Sequence, residues 1–109
     1  MLVDFHTHIL PGIDDGSASI DESIAMLQRQ AAQGVTHVVA TPHFYPKTDS
    51  PEKFLQRRAS AYEQLAEALR QHEGLPEIIL GAEVAYFRGI SNCEALCDLQ
   101  IGNTGFILI

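Results

Sequence analysis

The chain has 109 residues, 46% of them hydrophobic, which is enough for one small apolar core and too much for a disordered segment. Its 14 acidic residues outnumber 7 basic ones and no Lys/Arg cluster occurs, which excludes an electrostatic nucleic-acid or anionic-membrane surface. The start, MLVDFHTH, has neither the basic n-region nor the long apolar core of a signal peptide or membrane span, so no membrane insertion is expected and the cytoplasm is the expected compartment.

Residues 2–5 form a short apolar run bearing one Asp, a predicted strand that ends at His6-Thr7-His8 and a loop continuing Leu10-Pro11-Gly12-Ile13-Asp14-Asp15-Gly16. Ser19 followed by Glu22 makes a capping box, and Ile20, Ile24, Leu27 and Ala31 recur at helical spacing until Gly34 supplies a stop. The run 35–40 is β-branched and almost continuously apolar, as a strand covered on both faces should be, and leads into Thr41-Pro42-His43. Ser50-Pro51 opens a second helix with Pro at its first position; Phe54, Ala61, Leu65 and Leu69 mark its buried face, and its expected end is near Gly74. Ile78, Ile79 and Leu80 give a third strand closed by Gly81-Ala82-Glu83. A short helix is expected over 92–99 and a fourth strand over 105–109.

Strands alternating with helices imply a parallel α/β fold, because parallel neighbours need crossover connections, and four such units amount to half of a β/α barrel. The final Phe-Ile-Leu-Ile has no polar tail, which leads to the expectation of a chain truncated at the C-terminus, residues 1–109 being the N-terminal part of a single domain.

The candidate ligands fall at strand ends: His6 and His8 after the first strand, Asp14 and Asp15 in the same loop, His43 after the second, Glu83 after the third. In parallel α/β folds the C-terminal strand ends lie side by side and hold the active site. His6 and His8, two apart in extended backbone, point the same way and can grip one ion. Imidazole and carboxylate ligands suit zinc, manganese or iron and favour a hydrolytic centre over a structural zinc knot. One of Asp14 and Asp15 is expected to be a ligand, although Asp-Asp-Gly is also ordinary turn chemistry. His37, inside the second strand, and His72, near a helix end, are assigned to structure. Cys93 and Cys97 are assigned as reduced structural thiols. Arg follows neither of them at the Cys-x5-Arg spacing, since Leu99 and Asn103 stand there, which excludes a cysteine-based tyrosine phosphatase within this chain.

The segments 4–16 (DFHTHILPGIDDG), Ala40-Thr41-Pro42-His43 and Gly81-Ala82-Glu83 resemble the polymerase and histidinol phosphatase (PHP) superfamily, and most closely its manganese-dependent bacterial protein-tyrosine phosphatases of capsule and exopolysaccharide operons. The resemblance implies a distorted, TIM-like β/α barrel with a cluster of divalent metals, manganese first, with iron or zinc as alternatives. It implies that His6 and His8 bind one metal, that Glu83 bridges, and that Asp15 and His43 bind another. A hydroxide formed from metal-bound water would be the nucleophile, with no protein nucleophile. The implied partner is a phosphotyrosine protein, a bacterial tyrosine autokinase controlling polysaccharide export. A small-molecule phosphatase of the histidinol-phosphatase kind and an inactive metal-binding fragment are the alternatives, and family members carry further ligands and phosphate-binding arginines at positions beyond Ile109. Arg88 is a candidate phosphate contact; Tyr45 and Lys47 are candidate substrate contacts.

Overall fold

The computed structural model describes residues 1–90, 94 and 96–109. Strands β1 (Val3–Thr7), β2 (His37–Ala40) and β4 (Glu77–Leu80) form a parallel sheet in the order β1-β2-β4, and β3 (His43–Phe44) pairs in parallel with β5 (Glu83–Val84). Helix α1 (Ile20–Ala32) crosses over from β1 to β2, α2 (Pro51–Leu69) from β3 to β4, and α3 (Leu96–Leu99) follows β5. The expected parallel α/β arrangement is therefore present, with its strands in one sheet of three and one of two. Among the described residues, no helix is long and apolar enough to cross a membrane.

The two sheets are joined by continuous backbone pairing. Gly81 N–H donates to the Ala40 carbonyl (2.8 Å), Glu83 N–H to that of Pro42 (2.9 Å) and Ala85 N–H to that of Phe44 (3.0 Å), so the ladder runs on through Thr41-Pro42 and Gly81-Ala82. Proline cannot donate, but its carbonyl still accepts. The strands β3 and β5 were not expected from the sequence, because Pro42 and Gly81 resemble strand terminators. Between Asp4 and Thr7 the β1–β2 register shifts by one residue, a bulge that brackets Phe5 and His6.

Both long helices begin where their caps dictate. Ser19 Oγ accepts from Glu22 N–H (3.1 Å), while the Glu22 carboxylate reaches back to Ala18 N–H (3.1 Å), one residue further than in the usual capping box. Ser50 Oγ accepts from Lys53 N–H (3.1 Å), with Pro51 at the first helical position. Helix α2 ends at Leu69, short of the expected Gly74. The chain leaves it through turns in which Gln71 and His72 donate to Ala68 and Leu69, and only then reaches Gly74 at φ 76°.

The strand expected over 105–109 is replaced by a single parallel bridge between Leu108 and Glu83. Its neighbour β5 is two residues long, and a turn with Gly105 at φ 80° enters the segment, so little ladder is available to extend it. Of the helix expected over 92–99, residues 96–99 are helical; Asn92, Cys93 and Ala95 lie outside the described residues, and the assignment of Cys93 with them. Cys97 is an exposed free thiol, and the residue that its helix buries is Leu99.

Two apolar clusters hold these elements. Ile9, Leu10, Ile24, Leu27, Val38, Ala40, Ala61 and Leu65 join α1 and α2 to one face of the larger sheet. Phe44, Phe54, Ala82, Val84 and Leu99 pack beneath the smaller one, with the Phe44 and Phe54 rings 5.0 Å apart. Leu27 is fully buried at the centre of the first cluster. Leu27→Ala should lower the stability of the protein by about 2–5 kcal/mol, read as a lower urea midpoint with an unchanged slope.

Candidate metal centre

Parallel register decides which side chains meet. Val38 faces Ile78, Ala40 faces Leu80, and His43 faces Glu83, so the residue after each strand break arrives beside its counterpart. The β1–β2 pairing brings Thr7 next to Ala40, and its bulge lies at the position where His6 must turn toward the neighbouring strands. Thr7 and Thr41 lock this edge: Thr7 Oγ1 donates to the Val39 carbonyl (2.8 Å) and Thr41 N–H to the Thr7 carbonyl (2.8 Å).

The result is a carboxylate surrounded by imidazoles. One Glu83 oxygen, Oε2, lies 3.2 Å from His6 Nε2, 3.2 Å from His8 Nε2 and 3.1 Å from His43 Nδ1. Despite these distances the oxygen is buried and accepts no directed hydrogen bond, because none of the ring N–H directions is aimed at it. An unsatisfied buried carboxylate oxygen is costly, and a divalent cation held by the same groups would remove that cost. His6 Nε2 and His8 Nε2 are themselves 3.1 Å apart. Two groups have ligand atoms close enough for one ion: His6, His8 and Glu83; and His8, Asp14 and His43. The nitrogen and oxygen donors fit zinc, manganese or iron.

The two groups compete for His8. Its Nδ1 lies 3.0 Å from Asp14 Oδ2, and Asp14 is nearly enclosed, its side chain 7% exposed. Burial favours the neutral acid, but the N–H groups of Gly16 and His43 and the His8 ring together outweigh it and hold the Asp14 carboxyl below its ordinary range. An ionised Asp14 makes His8 Nδ1 the protonated nitrogen and leaves the Nε2 lone pair facing His6 and Glu83. This arrangement favours the first group and gives Asp14 the role of aligning His8. Asp15 is 85% exposed, with Oδ1 3.4 Å from His43 Nε2, the nitrogen that points away from Glu83. The adjacent aspartates thus divide between the two histidines, a distinction that the bare Asp-Asp-Gly sequence did not contain.

Other positions have clear places as well. His37 sits at the far end of β2, 3.2 Å from Glu77, and His72 is exposed beyond α2; neither approaches the site. Arg88 is exposed in the segment after β5 and makes no ion pair among the described residues. The Tyr45 ring stacks on His43 (centroids 5.5 Å apart, 13° between planes), and His43 stacks on His8 (4.5 Å, 18°).

Sequence reasoning missed three supports. Asp4 accepts from His6 N–H (3.1 Å) and from Gln30 Nε2 (2.9 Å), tying β1 to α1; an Asp inside an apolar strand was the available signal. Arg58 reaches from α2 to the Gly81 carbonyl (2.9 Å), two residues before Glu83, and to that of Asp98 (3.3 Å); its burial lowers its pKa, with Asp98 opposing the shift. Gly16 crosses directly over His8, where a Cβ would stand 2.3 Å from the His8 carbonyl oxygen and 2.4 Å from its Cβ. Because those contacts leave no room for a methyl group, Gly16→Ala must displace His8 or the loop. Divalent-metal affinity, measured by titration calorimetry, should then fall roughly 10–100-fold, as it does when the partners that orient a ligand are lost.

The family model described as "Capsular polysaccharide synthesis, CpsB/CapC" matches residues 2–109. The chain is 48% identical over 46 residues to the putative tyrosine-protein phosphatase CapC of Staphylococcus aureus, covering 42% of this chain and 18% of that protein. It is 29% identical over 109 residues to the tyrosine-protein phosphatase YwqE of Bacillus subtilis, covering 99% of this chain and 42% of that one. Among solved structures it matches, with a TM-score of 0.81 and 28% identity over 99% of this chain and 43% of the other, a chain from the crystal structures of YwqE from Bacillus subtilis and CpsB from Streptococcus pneumoniae, described as unique metal-dependent tyrosine phosphatases. The chain therefore spans less than half the length of these relatives. A match that extends from residue 2 to residue 109 and a backbone shared almost end to end establish that this chain belongs to the CpsB/CapC capsular polysaccharide synthesis family.

Proposed function

We propose that this chain supplies the first metal ligands of a metal-dependent protein-tyrosine phosphatase. The observation that carries the reading is the buried Glu83 oxygen facing three imidazoles with no proton donor aimed at it. Relatives named as tyrosine-protein phosphatases, and a matching structure described as metal-dependent, supply the reaction class. The chain is read as the N-terminal part of a single larger domain, contributing its strands to a distorted β/α barrel of the PHP type. Its span of 42% of the Bacillus relative is consistent with that reading.

In this proposal His6 and His8 would hold one metal, His43 with Asp15 a second, and Glu83 would be a ligand common to both; manganese is the first choice among ions that accept such ligands, with iron or zinc as alternatives. When bound, the ions supply Lewis acidity that activates water and offsets charge on the phosphoryl oxygens. The chain's own residues do the positioning. Asp14 keeps the proton on His8 Nδ1, Thr7 and Thr41 fix the strand ends, and Glu83 places a carboxylate oxygen among three imidazoles. Arg88, exposed beyond β5, is the proposed cationic contact for the phosphate. The proposed substrate is a phosphotyrosine protein, a bacterial tyrosine autokinase that governs polysaccharide export, and the proposed compartment of the phosphatase is the cytoplasm.

The test is hydrolysis of a phosphotyrosine peptide by the manganese-loaded full gene product. Chelation should abolish turnover and added manganese restore it, while His6→Ala or His8→Ala should lower kcat/KM by roughly 100-fold or more, the scale of several kcal/mol of lost transition-state stabilisation. Turnover that survives chelation, or that is unchanged in both variants, would contradict the proposal. Faster cleavage of histidinol phosphate than of the peptide would favour the small-molecule alternative.

A further inference from the structure

Beyond the histidines a cleft of about 240 Å³ opens between the segments that follow β3 and β5, lined by Tyr45, Lys47, Ala85, Tyr86 and Phe87 among others. Its position follows from the ladder: β3 and β5 are register-paired, so the residues just past His43 and Glu83 form two facing walls. Three of those residues are aromatic. Tyr45 and Tyr86 are 51% and 72% exposed, so both rings present apolar surface at the cleft.

The walls are fixed in place. The Tyr45 carbonyl accepts from the N–H groups of Thr48 (3.0 Å) and Asp49 (2.9 Å), closing a turn. Asp49 is held in turn by Arg57, which donates to both its oxygens. On the other side Ala85 N–H is bonded to the Phe44 carbonyl, and Ile90 N–H to that of Phe87 (3.1 Å). The Tyr45 ring belongs to both cleft and site, since it lines the one and stacks on His43 in the other. A group seated in the cleft is therefore one ring away from the imidazole cluster. Lys47 adds a positive charge at the rim of a chain whose net charge is −7 and makes no ion pair among the described residues.

We propose that this cleft is the subsite for the aromatic ring of the substrate, with Tyr86 and Tyr45 as its principal walls, so that the protein selects aryl over alkyl phosphoesters by stacking and apolar contact. The inference rests on the phosphatase reading above. Offset or edge-on aromatic contacts favour a flat ring over an aliphatic chain, whereas ions gripping the phosphoryl oxygens would contribute similarly to binding either ester in the ground state. A binding preference for the ring then comes from beside the metal site.

The two non-hydrolysable probes are phenylphosphonate and methylphosphonate, titrated calorimetrically into the metal-loaded full gene product. The wild-type protein should bind the phenyl compound roughly 3–10-fold more tightly. Tyr86→Ala should bring the two affinities to within about twofold by weakening only the phenyl compound, and Tyr86→Phe should retain the preference because the ring remains. Equal affinities in the wild-type protein, or a preference untouched by Tyr86→Ala, would overturn the subsite while leaving the metal-dependent phosphatase intact. Binding of neither probe would overturn the phosphatase reading and the subsite with it. As an independent readout, the ratio of kcat/KM for phosphotyrosine and phosphoserine peptides should fall in Tyr86→Ala by a similar factor.

Discussion

A parallel ladder that continues in register across two interruptions is the constraint on which the site depends. Thr41-Pro42 and Gly81-Ala82 break the strands at matching heights, and the hydrogen bonds from Gly81, Glu83 and Ala85 carry the alignment through. Since a slip of one residue in a strand turns every side chain to the opposite face, this alignment is what places Glu83 beside His43. The apolar residues below the breaks, Val38, Val39 and Ala40 with no exposed surface, hold the register by burial. Hydrophobic packing at one end of the strands therefore sets polar geometry at the other.

That geometry brings one carboxylate oxygen close to three rings, an arrangement that a protein without ions would tolerate poorly. The supporting bonds share the task of keeping it. Asp14, more acidic than usual through its N–H donors, aligns His8; Asp4 ties the His6 backbone to α1; Arg58 clamps the carbonyl of Gly81 from α2. Beneath the loop the Ser23 hydroxyl donates to the Ile9 carbonyl and its Oγ lies 2.6 Å from the Ser17 Oγ, so α1 also anchors the segment that carries His8. Each of the two long helices thus reaches the site through one or two polar side chains, with apolar packing elsewhere on its inward face.

Much of this was legible in the sequence because it has a period or a cap. The spacing of Ile20, Ile24 and Leu27 and the Ser19 and Ser50 caps located both long helices, and the short apolar runs located three strands to within two residues at either end. His6, His8, His43 and Glu83 were legible as a set because parallel strands end on one side. What was not legible depends on contacts across the fold. Nothing local distinguishes Asp14 from Asp15, since one is buried by residues far along the chain and the other is left in solvent. The two-residue strands β3 and β5 have no pattern of their own and exist through their pairing with each other and the ladder that leads into them. The segment 105–109 carried a strong strand signal, yet among the described residues it bridges to a strand only at Leu108, because pattern states a preference and pairing requires a neighbour.

The stack of His8, His43 and Tyr45 has a further consequence. The chain contains no tryptophan and 3 tyrosines, so its intrinsic emission comes from phenol rings alone. One of those rings lies nearly parallel to an imidazole whose other face meets a second one. Any event that changes the charge on His43 or tilts its plane is felt directly by the Tyr45 chromophore. The fold has thereby placed an optical gauge of its own on the wall of the site, which can be read in the ultraviolet without any label.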